Sequence, residues 1–457
     1  VNADERVSGV QSRRPGQLLR VLGVGFGIAI VIGGSIGGGI LRVPGPIAAQ
    51  LNHPVLIIAV WLIGGMYVLL GANCLAELST MLPRAGGPYV FARRAYGDYA
   101  GFAIGWGDWL INITSLAAFV VLFAEFVTAL VPRLAGYTGL VAMVTILGFT
   151  LLHSAGVRSG SVVQQLTSGL KVLALVGFVA ACFWLGDAAM ASHATAAPGA
   201  APASWPVLLL AIMVSLQMVV ETYAGWNSPV YFSEENVDPG RNLPRALFGG
   251  VALVIGVYVL VNLALLHVLP VEVLGGSKLP AADAMQAVFG GRGAQIVTVL
   301  AALSMLGIIN ATFMNAPRVL FALGRDGWLS ARAQSVSAGG TPIVAMLITT
   351  VAWAALTFGG TSFEKLFLLA AFFGVLCDSA VAVSLFVLRA REPSLPRPYK
   401  AFAYPFAPLL YVLIASAIFI AFLINDPMGS LAATAVVATS YPVYWLLRRQ
   451  RRAAARV

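Results

Sequence analysis

Charged and metal-ligating side chains are scarce in this chain. Only 10% of its 457 residues are Asp, Glu, Lys or Arg, too few to clothe a soluble fold of this size. Its three cysteines, Cys74, Cys182 and Cys377, all fall in apolar segments without paired spacing, so no disulfide framework is implied. The four histidines, His53, His153, His193 and His267, are too scattered for a metal-ligand cluster, and neither a metal nor a cofactor is expected. The same dispersal leaves no facing nucleophile and base, which argues against an enzyme. The chain opens on Val1 rather than Met, and its first apolar run is too long for a cleavable signal peptide.

Apolar residues are what the chain has in excess. At 59% hydrophobic and a mean hydropathy of +0.88, it reads as an all-α polytopic membrane protein. Apolar runs recur at about 21–50, 55–82, 99–131, 140–154, 162–186, 207–232, 246–269, 295–323, 343–358, 366–388, 402–424 and 429–447, giving twelve candidate spans. An even number puts both termini on one side. Most of the 28 Lys and Arg residues lie in the termini and alternate loops, among them Arg13, Arg14, Arg93, Arg94, Arg241, Arg397 and Arg448. The opposite loops carry only Arg133, Lys278, Arg292 and Lys365. The positive-inside rule then places both termini in the cytoplasm. The net charge of +10 is a topology signal, and nucleic acid is not an expected partner.

Two of the spans are interrupted. Residues 31–45, Val-Ile-Gly-Gly-Ser-Ile-Gly-Gly-Gly-Ile-Leu-Arg-Val-Pro-Gly, put five glycines in the middle of the first apolar run. Glycine is the residue least able to hold a helix after proline. An opened backbone survives at membrane depth only when buried in protein or lining a cavity. The break at Ser35–Gly39 therefore reads as a binding surface. Glycines four apart also suit close helix packing, which is the competing account. The sixth run repeats the oddity at Glu221-Thr-Tyr-Ala-Gly-Trp-Asn-Ser-Pro229, where Pro229 removes a helix hydrogen bond and Gly225 eases a turn. Broken helices in matching positions of two halves point to an inverted-repeat transporter. The expected organisation is a cytoplasmic tail at 1–20, a first five-helix repeat at 21–186 and an Ala- and Pro-rich external loop at 187–206. A second repeat at 207–390, two further helices at 391–447 and a basic cytoplasmic tail at 448–457 complete it.

These motifs resemble a known family. Ile36-Gly-Gly-Gly-Ile-Leu-Arg-Val-Pro-Gly45 is similar to the first-helix signature of the amino acid–polyamine–organocation superfamily. Ala76-Glu-Leu78 with Pro83-Arg-Ala-Gly-Gly-Pro-Tyr89, and Tyr223-Ala-Gly-Trp-Asn227 with Ser233-Glu-Glu235, resemble its second- and sixth-helix motifs. Asn310, Pro317-Arg318 and Gly324-Arg-Asp-Gly327 follow in family order, as does Glu392-Pro-Ser-Leu-Pro-Arg-Pro398. The nearest branch is the L-type amino acid transporters and their bacterial relatives. The resemblance implies a LeuT-type fold of twelve helices, with a five-plus-five inverted repeat and helices one and six broken. It implies a small amphipathic cargo, typically an amino acid, carried across a bacterial cytoplasmic membrane. Many L-type relatives pair with an external single-span partner through a loop cysteine; no cysteine lies in an external loop here, so no such heavy chain is expected.

Physics and resemblance together nominate the substrate-binding residues Ser35, Ile36, Gly37, Gly38, Gly39, Glu221, Ala224, Gly225 and Trp226. Free N–H groups at the restart of the first helix suit a carboxylate. The resemblance implies that the carbonyls of Ser35, Glu221 and Ala224 face the ammonium, and that Gly38 replaces a usual serine. Lys171, a cation inside the fifth span, matches a lysine of sodium-independent relatives whose ammonium stands where sodium symporters place an ion; snorkelling is the alternative. Glu221 stands where the family usually carries an aromatic gate. It could be a counter-charge, a proton carrier or a hydrogen-bonded structural acid, with Asp378 on the tenth span as its companion. Asn310 is a further polar candidate on the eighth span. Asp108, Asn112 and Ser115 form a polar face on the third span, unless Asp108 merely caps the start of that helix. Trp226 is either a gate or a packing aromatic. The leading function is sodium-independent amino acid transport by proton symport or exchange, and the rival keeps the fold but moves polyamines or cationic amino acids.

The charge asymmetry makes a direct prediction. Single cysteines placed at Ser8 and at Ala455 should resist membrane-impermeant thiol reagents applied to intact cells, and label only after permeabilisation. Efficient labelling from outside would invert the topology.

Overall fold

Lipid offers no partner to a backbone N–H or C=O, so an apolar segment that spans it closes its hydrogen bonds within itself as a helix. The computed structural model describes residues 17–186, 204–358, 363–425 and 427–454. The expected cytoplasmic tails and the external loop at 187–206 lie largely outside these residues. The first part of the chain forms α1 (Val24–Ser35), α2 (Gly39–Arg42), α3 (Pro44–Leu51), α4 (Pro54–Met81), α5 (Pro88–Tyr96), α6 (Asp98–Leu130), α7 (Thr138–Ser154) and α8 (Val157–Leu185). The second forms α9 (Trp205–Tyr223), a 3-10 segment (Ser228–Glu235), α10 (Pro239–Val268), α11 (Val271–Gly276), α12 (Pro280–Phe289) and α13 (Gly293–Arg325). It ends in α14 (Ile343–Phe358), α15 (Phe363–Arg391), α16 (Phe406–Asn425), α17 (Pro427–Ala438) and α18 (Ser440–Ala454).

Each of the twelve apolar runs holds a helix. Among the described residues nine helices are long and apolar enough to cross a membrane, and three shorter apolar ones, α1, α7 and α14, accompany them. The first is short because it is broken. Ile36 turns extended at the end of α1 (φ −76°, ψ 104°), and the helix resumes only at Gly39. In the sixth run Ala224 is extended (φ −50°, ψ 147°) and Gly225 takes φ +97°, a backbone region open to glycine and strained for other residues. The chain then continues as the 3-10 segment with Pro229 in its first turn.

The two interruptions meet. A Cβ on Gly225 would lie 2.5 Å from the Gly34 carbonyl oxygen, so backbone packs on backbone there. Below this contact the approach to α1 pairs with the exit from the 3-10 segment. Val21 and Leu22 donate to the Glu235 carbonyl at 3.0 Å, and Val237 donates to the Leu22 carbonyl at 3.0 Å. The Glu235 side chain, fully buried, receives the Arg318 guanidinium of α13 at 2.5 and 2.7 Å.

Two further charged clusters join elements distant in sequence. Buried Glu77 of α4 accepts from Arg389 (2.9 and 2.5 Å), from Arg397 (3.1 Å) and from the Ala401 N–H (2.6 Å), tying α4 to α15 and the loop beyond it. Asp326, at the end of α13, accepts from the Tyr89 hydroxyl (2.9 Å) and pairs with Arg93 (2.5 Å) and Arg84 (3.3 Å). Partial burial pushes the Asp326 carboxyl up, but the hydrogen bonds from Tyr89 and Arg93 outweigh it and hold the group below the usual carboxylate range.

A depressed carboxyl pKa stabilises the fold above the unfolded value, near ~3.9, and that contribution is lost only as pH falls through the lower folded value. Between pH 5 and 8 the Asp326 latch should therefore be fully present. Asp326→Asn should lower the melting temperature of the detergent-solubilised protein by a similar amount at both pH values. A deficit confined to pH 8 would show that the group titrates in that window.

Candidate functional site

The interruptions of α1 and α9 open onto a cavity of about 170 Å³. Gly34 contributes from the first break, and Glu221, Ala224, Gly225 and Trp226 from the second. Asp108, Asn112 and Ser115, spaced i, i+4 and i+7, face it from α6, and Asn315 and Asp378 close it from α13 and α15. Among the described residues no lysine, arginine or histidine lines it.

The polar groups of this cavity are unevenly satisfied. Tyr231 donates to Asp108 at 2.6 Å, Asn112 to the Asp108 carbonyl at 2.8 Å, Asn227 to Asp378 at 3.2 Å and Asn315 to Ser228 at 3.1 Å. Asp108 Oδ2 and Asn315 Oδ1 are buried without a partner. The Glu221 carboxyl has no hydrogen-bond partner among the described residues. Asp108 sits ten residues inside α6, which excludes a capping role at the start of that helix.

Lys171 holds the first break from behind. Its side chain, wholly buried on α8, donates to the Gly33 carbonyl at 3.1 Å and to the Ile36 carbonyl. These are carbonyls that the broken helix frees, and the ammonium does not snorkel. Gly307 of α13 makes the space: a Cβ there would lie 2.9 Å from Nζ. Gln164 and Ser168, on the same face of α8, reach the Ala29 carbonyl at 3.3 and 2.6 Å, and Asn310 donates to Gln164 at 2.7 Å. Asn310 thus belongs to the layer supporting the break and stands outside the cavity lining.

The remaining candidates on the first break divide. Ser35 is buried, and its carbonyl accepts from Tyr258 at 2.7 Å. Ile36 is fully buried, and Gly37 packs on Ile308. Gly38 and Gly39 line a second, outer cavity of about 630 Å³, which shares Phe119 with the first. The N–H groups of Gly37 and Gly38 meet no acceptor among the described residues. Trp226 does two things at once: it lines the inner cavity, and its ring packs so closely on α4 that a Cβ on Gly71 would lie 2.7 Å away. Tyr67, Phe119, Tyr231 and Asn315 were not legible as site residues, because each looks like an ordinary side chain of its apolar run. No group of three metal-ligating side chains occurs among the described residues.

Comparison with known proteins decides the kinship. The amino acid permease family profile matches residues 27–447, nearly the full chain. The chain belongs to the amino acid permease family. This permease, a member of the amino acid–polyamine–organocation superfamily, is 25% identical over 440 residues to the serine/threonine exchanger SteT of Bacillus subtilis, covering 95% of this chain and 98% of that one. It is 29% identical over 448 residues to the mouse Asc-type amino acid transporter 1, covering 94% and 81% of the two chains. The human large neutral amino acids transporter small subunit 2 is likewise 29% identical, over 449 residues, with 94% and 80% covered. Family and relatives alike are named as permeases, exchangers or transporters.

The contact between the breaks gives this permease a sharp test. Gly225→Ala places a methyl group 2.5 Å from the Gly34 oxygen at a positive φ, so the two interruptions must part. Amino acid uptake into proteoliposomes should fall to about a tenth or less, since misplacement by an ångström costs on the order of 100-fold. Wild-type uptake by a correctly folded Gly225→Ala protein would detach the breaks from function.

Proposed function

We propose that this protein is a secondary active transporter that carries amino acids across a bacterial cytoplasmic membrane by alternating access. The observation that carries the reading is the backbone contact of two interrupted helices, Gly34 against Gly225, at the wall of a buried polar cavity. Kinship supports it: the relatives are named for the exchange of serine and threonine and for amino acid transport. On this reading the nine long and three shorter apolar helices make twelve spans in two inverted five-helix repeats, with both termini in the cytoplasm.

The cargo backbone divides between the two breaks. The free N–H groups of Gly37 and Gly38 suit its carboxylate. The Ala224 carbonyl, with the second lone pairs of the Ser35 and Glu221 carbonyls, suits its ammonium. The Lys171 ammonium already fills the place between the freed carbonyls of Gly33 and Ile36, so no sodium ion is needed there. Coupling then comes from exchange or from protons, and Glu221 with Asp378 supplies carboxyls that can carry one. The polyamine or cationic amino acid alternative is not favoured, since the named relatives are amino acid transporters and the cavity is small. No heavy-chain partner is required by this scheme.

Counterflow in proteoliposomes tests the proposal. Uptake should be unchanged when sodium is replaced by choline or potassium, and Lys171→Ala should impair it. If Glu221 carries the proton, Glu221→Gln should flatten the pH profile of net uptake while exchange continues, because exchange moves no net proton. Uptake that vanishes without sodium would refute the coupling scheme.

A further inference from the structure

The last helix ends in a block of arginines that no acid answers. α18 closes a stretch, Pro427–Arg452, long and apolar enough to cross a membrane, and it carries Arg448, Arg449, Arg451 and Arg452. None of the four pairs with a carboxylate among the described residues. The acids of the Asp326 latch are spent elsewhere: Asp326 on Arg84 and Arg93, Asp98 on Arg93.

Helical spacing sorts these arginines onto two faces. Tyr441, Trp445, Arg448, Arg449 and Arg452 recur at i, i+4, i+7, i+8 and i+11, and all five are exposed. The Arg449 guanidinium lies 3.4 Å over the Trp445 ring. Tyr444, Leu447 and Arg451 make a second face, turned toward the protein. Tyr444 is buried, with its ring centroid 4.8 Å from that of Trp328 and 5.1 Å from that of Tyr99. The Arg451 guanidinium covers the buried Trp328 ring at 4.4 Å, and a Cβ on Gly327 would lie 3.4 Å from its Nε. An exposed Tyr and Trp at the end of a span mark the level of the lipid headgroups, since one end of each ring is apolar and the other wet. Unpaired arginines on that same face stand among phosphates, and a guanidinium can hold a phosphate through two N–H bonds at once.

We propose that this face of α18 docks an anionic phospholipid headgroup, with Arg448, Arg449 and Arg452 on its phosphate. Arg451 carries the docking inward to the turn at 326–328. That turn bears Asp326, which holds Tyr89 and Arg93 of α5, so a bound headgroup steadies the latch. The inference requires α18 to end at a membrane surface, and it holds whatever cargo the inner cavity takes.

The test uses the full chain in neutral detergent, titrated with phosphatidylglycerol or with phosphatidylcholine. Phosphatidylglycerol should raise the melting temperature more than phosphatidylcholine does. Raising the salt from ~0.1 M to ~1 M, which shortens the screening length from ~10 Å to ~3 Å, should erase that difference in the wild type. In a protein carrying Arg448→Gln, Arg449→Gln and Arg452→Gln, the phosphatidylglycerol concentration for half the rise should increase on the order of 100-fold, about fivefold per arginine. The amides of residues 326–328 bond back to the end of α13, so their hydrogen exchange reports opening of the turn. In nanodiscs phosphatidylglycerol should slow that exchange in the wild type, and Arg451→Gln should remove the slowing. No difference between the lipids, a difference that survives high salt, or an equal response in the triple variant overturns the headgroup site. An equal rise from soluble polyphosphate without phosphatidylglycerol assigns the arginines to a soluble polyanion and overturns it too. Exchange at 326–328 that ignores phosphatidylglycerol in the wild type, or slows equally in Arg451→Gln, overturns the link to the latch. Transport enters none of these readouts, so failure here leaves the proposed function standing.

Discussion

An opened helix inside a bilayer frees carbonyls that lipid cannot satisfy, and each left bare costs several kcal/mol. In this chain one ammonium meets that demand. Lys171 reaches from α8 to the Gly33 and Ile36 carbonyls on the rim of the first break, and Gln164 and Ser168 secure the Ala29 carbonyl one turn earlier. Glycine at 307 leaves room for the ammonium. A Cβ at Gly33 would strike Gln164 at 1.6 Å, so the first helix carries a glycine where its support comes closest. The extended turn at Ile36, the N–H groups of Gly37 and Gly38 and the contact of Gly34 with Gly225 all presuppose this support.

The same constraint orders the polar residues of the interior. Those that hold the breaks spend their donors on neighbouring oxygens: Lys171 on carbonyls, the Asn310 amide on Gln164 and the Gly160 carbonyl, Tyr258 on the carbonyls of Ser35 and Thr222, with only the Asn310 Oδ1 left without a partner among them. Those that face the cavity keep oxygens open. A buried charge with its partners in place stiffens a fold, whereas one without partners awaits a ligand or a proton.

Much of the helical arrangement is legible in the sequence, because apolar length and glycine or proline interruption act within one segment. The breaks at Ser35–Gly39 and at Ala224–Gly225 are such local features, and both open where glycine stands in the sequence. Lys171 announces itself because a cation inside a span is expensive. What the sequence hides is which residues converge. Asp108 looks like a cap until α6 proves to start at Asp98, and Asn315 looks like one more polar residue of a long helix. Gly38 and Gly39 sit beside Gly37 in the chain, yet they face the outer cavity, because the turn at Ile36 redirects the backbone between them and Gly34. Convergence of this kind depends on helix rotation and crossing, set by contacts between segments hundreds of residues apart.

The short parallel pairing of residues 21–22 with residues 235–237 has a mechanical consequence. It splices the root of the first broken helix to the far end of the second. A displacement of either root drags the other through three backbone hydrogen bonds and, through Glu235, through Arg318 on α13 as well. The entry to the first interrupted helix and the exit from the second are therefore joined to each other twice over, by this pairing and by the contact of Gly34 with Gly225.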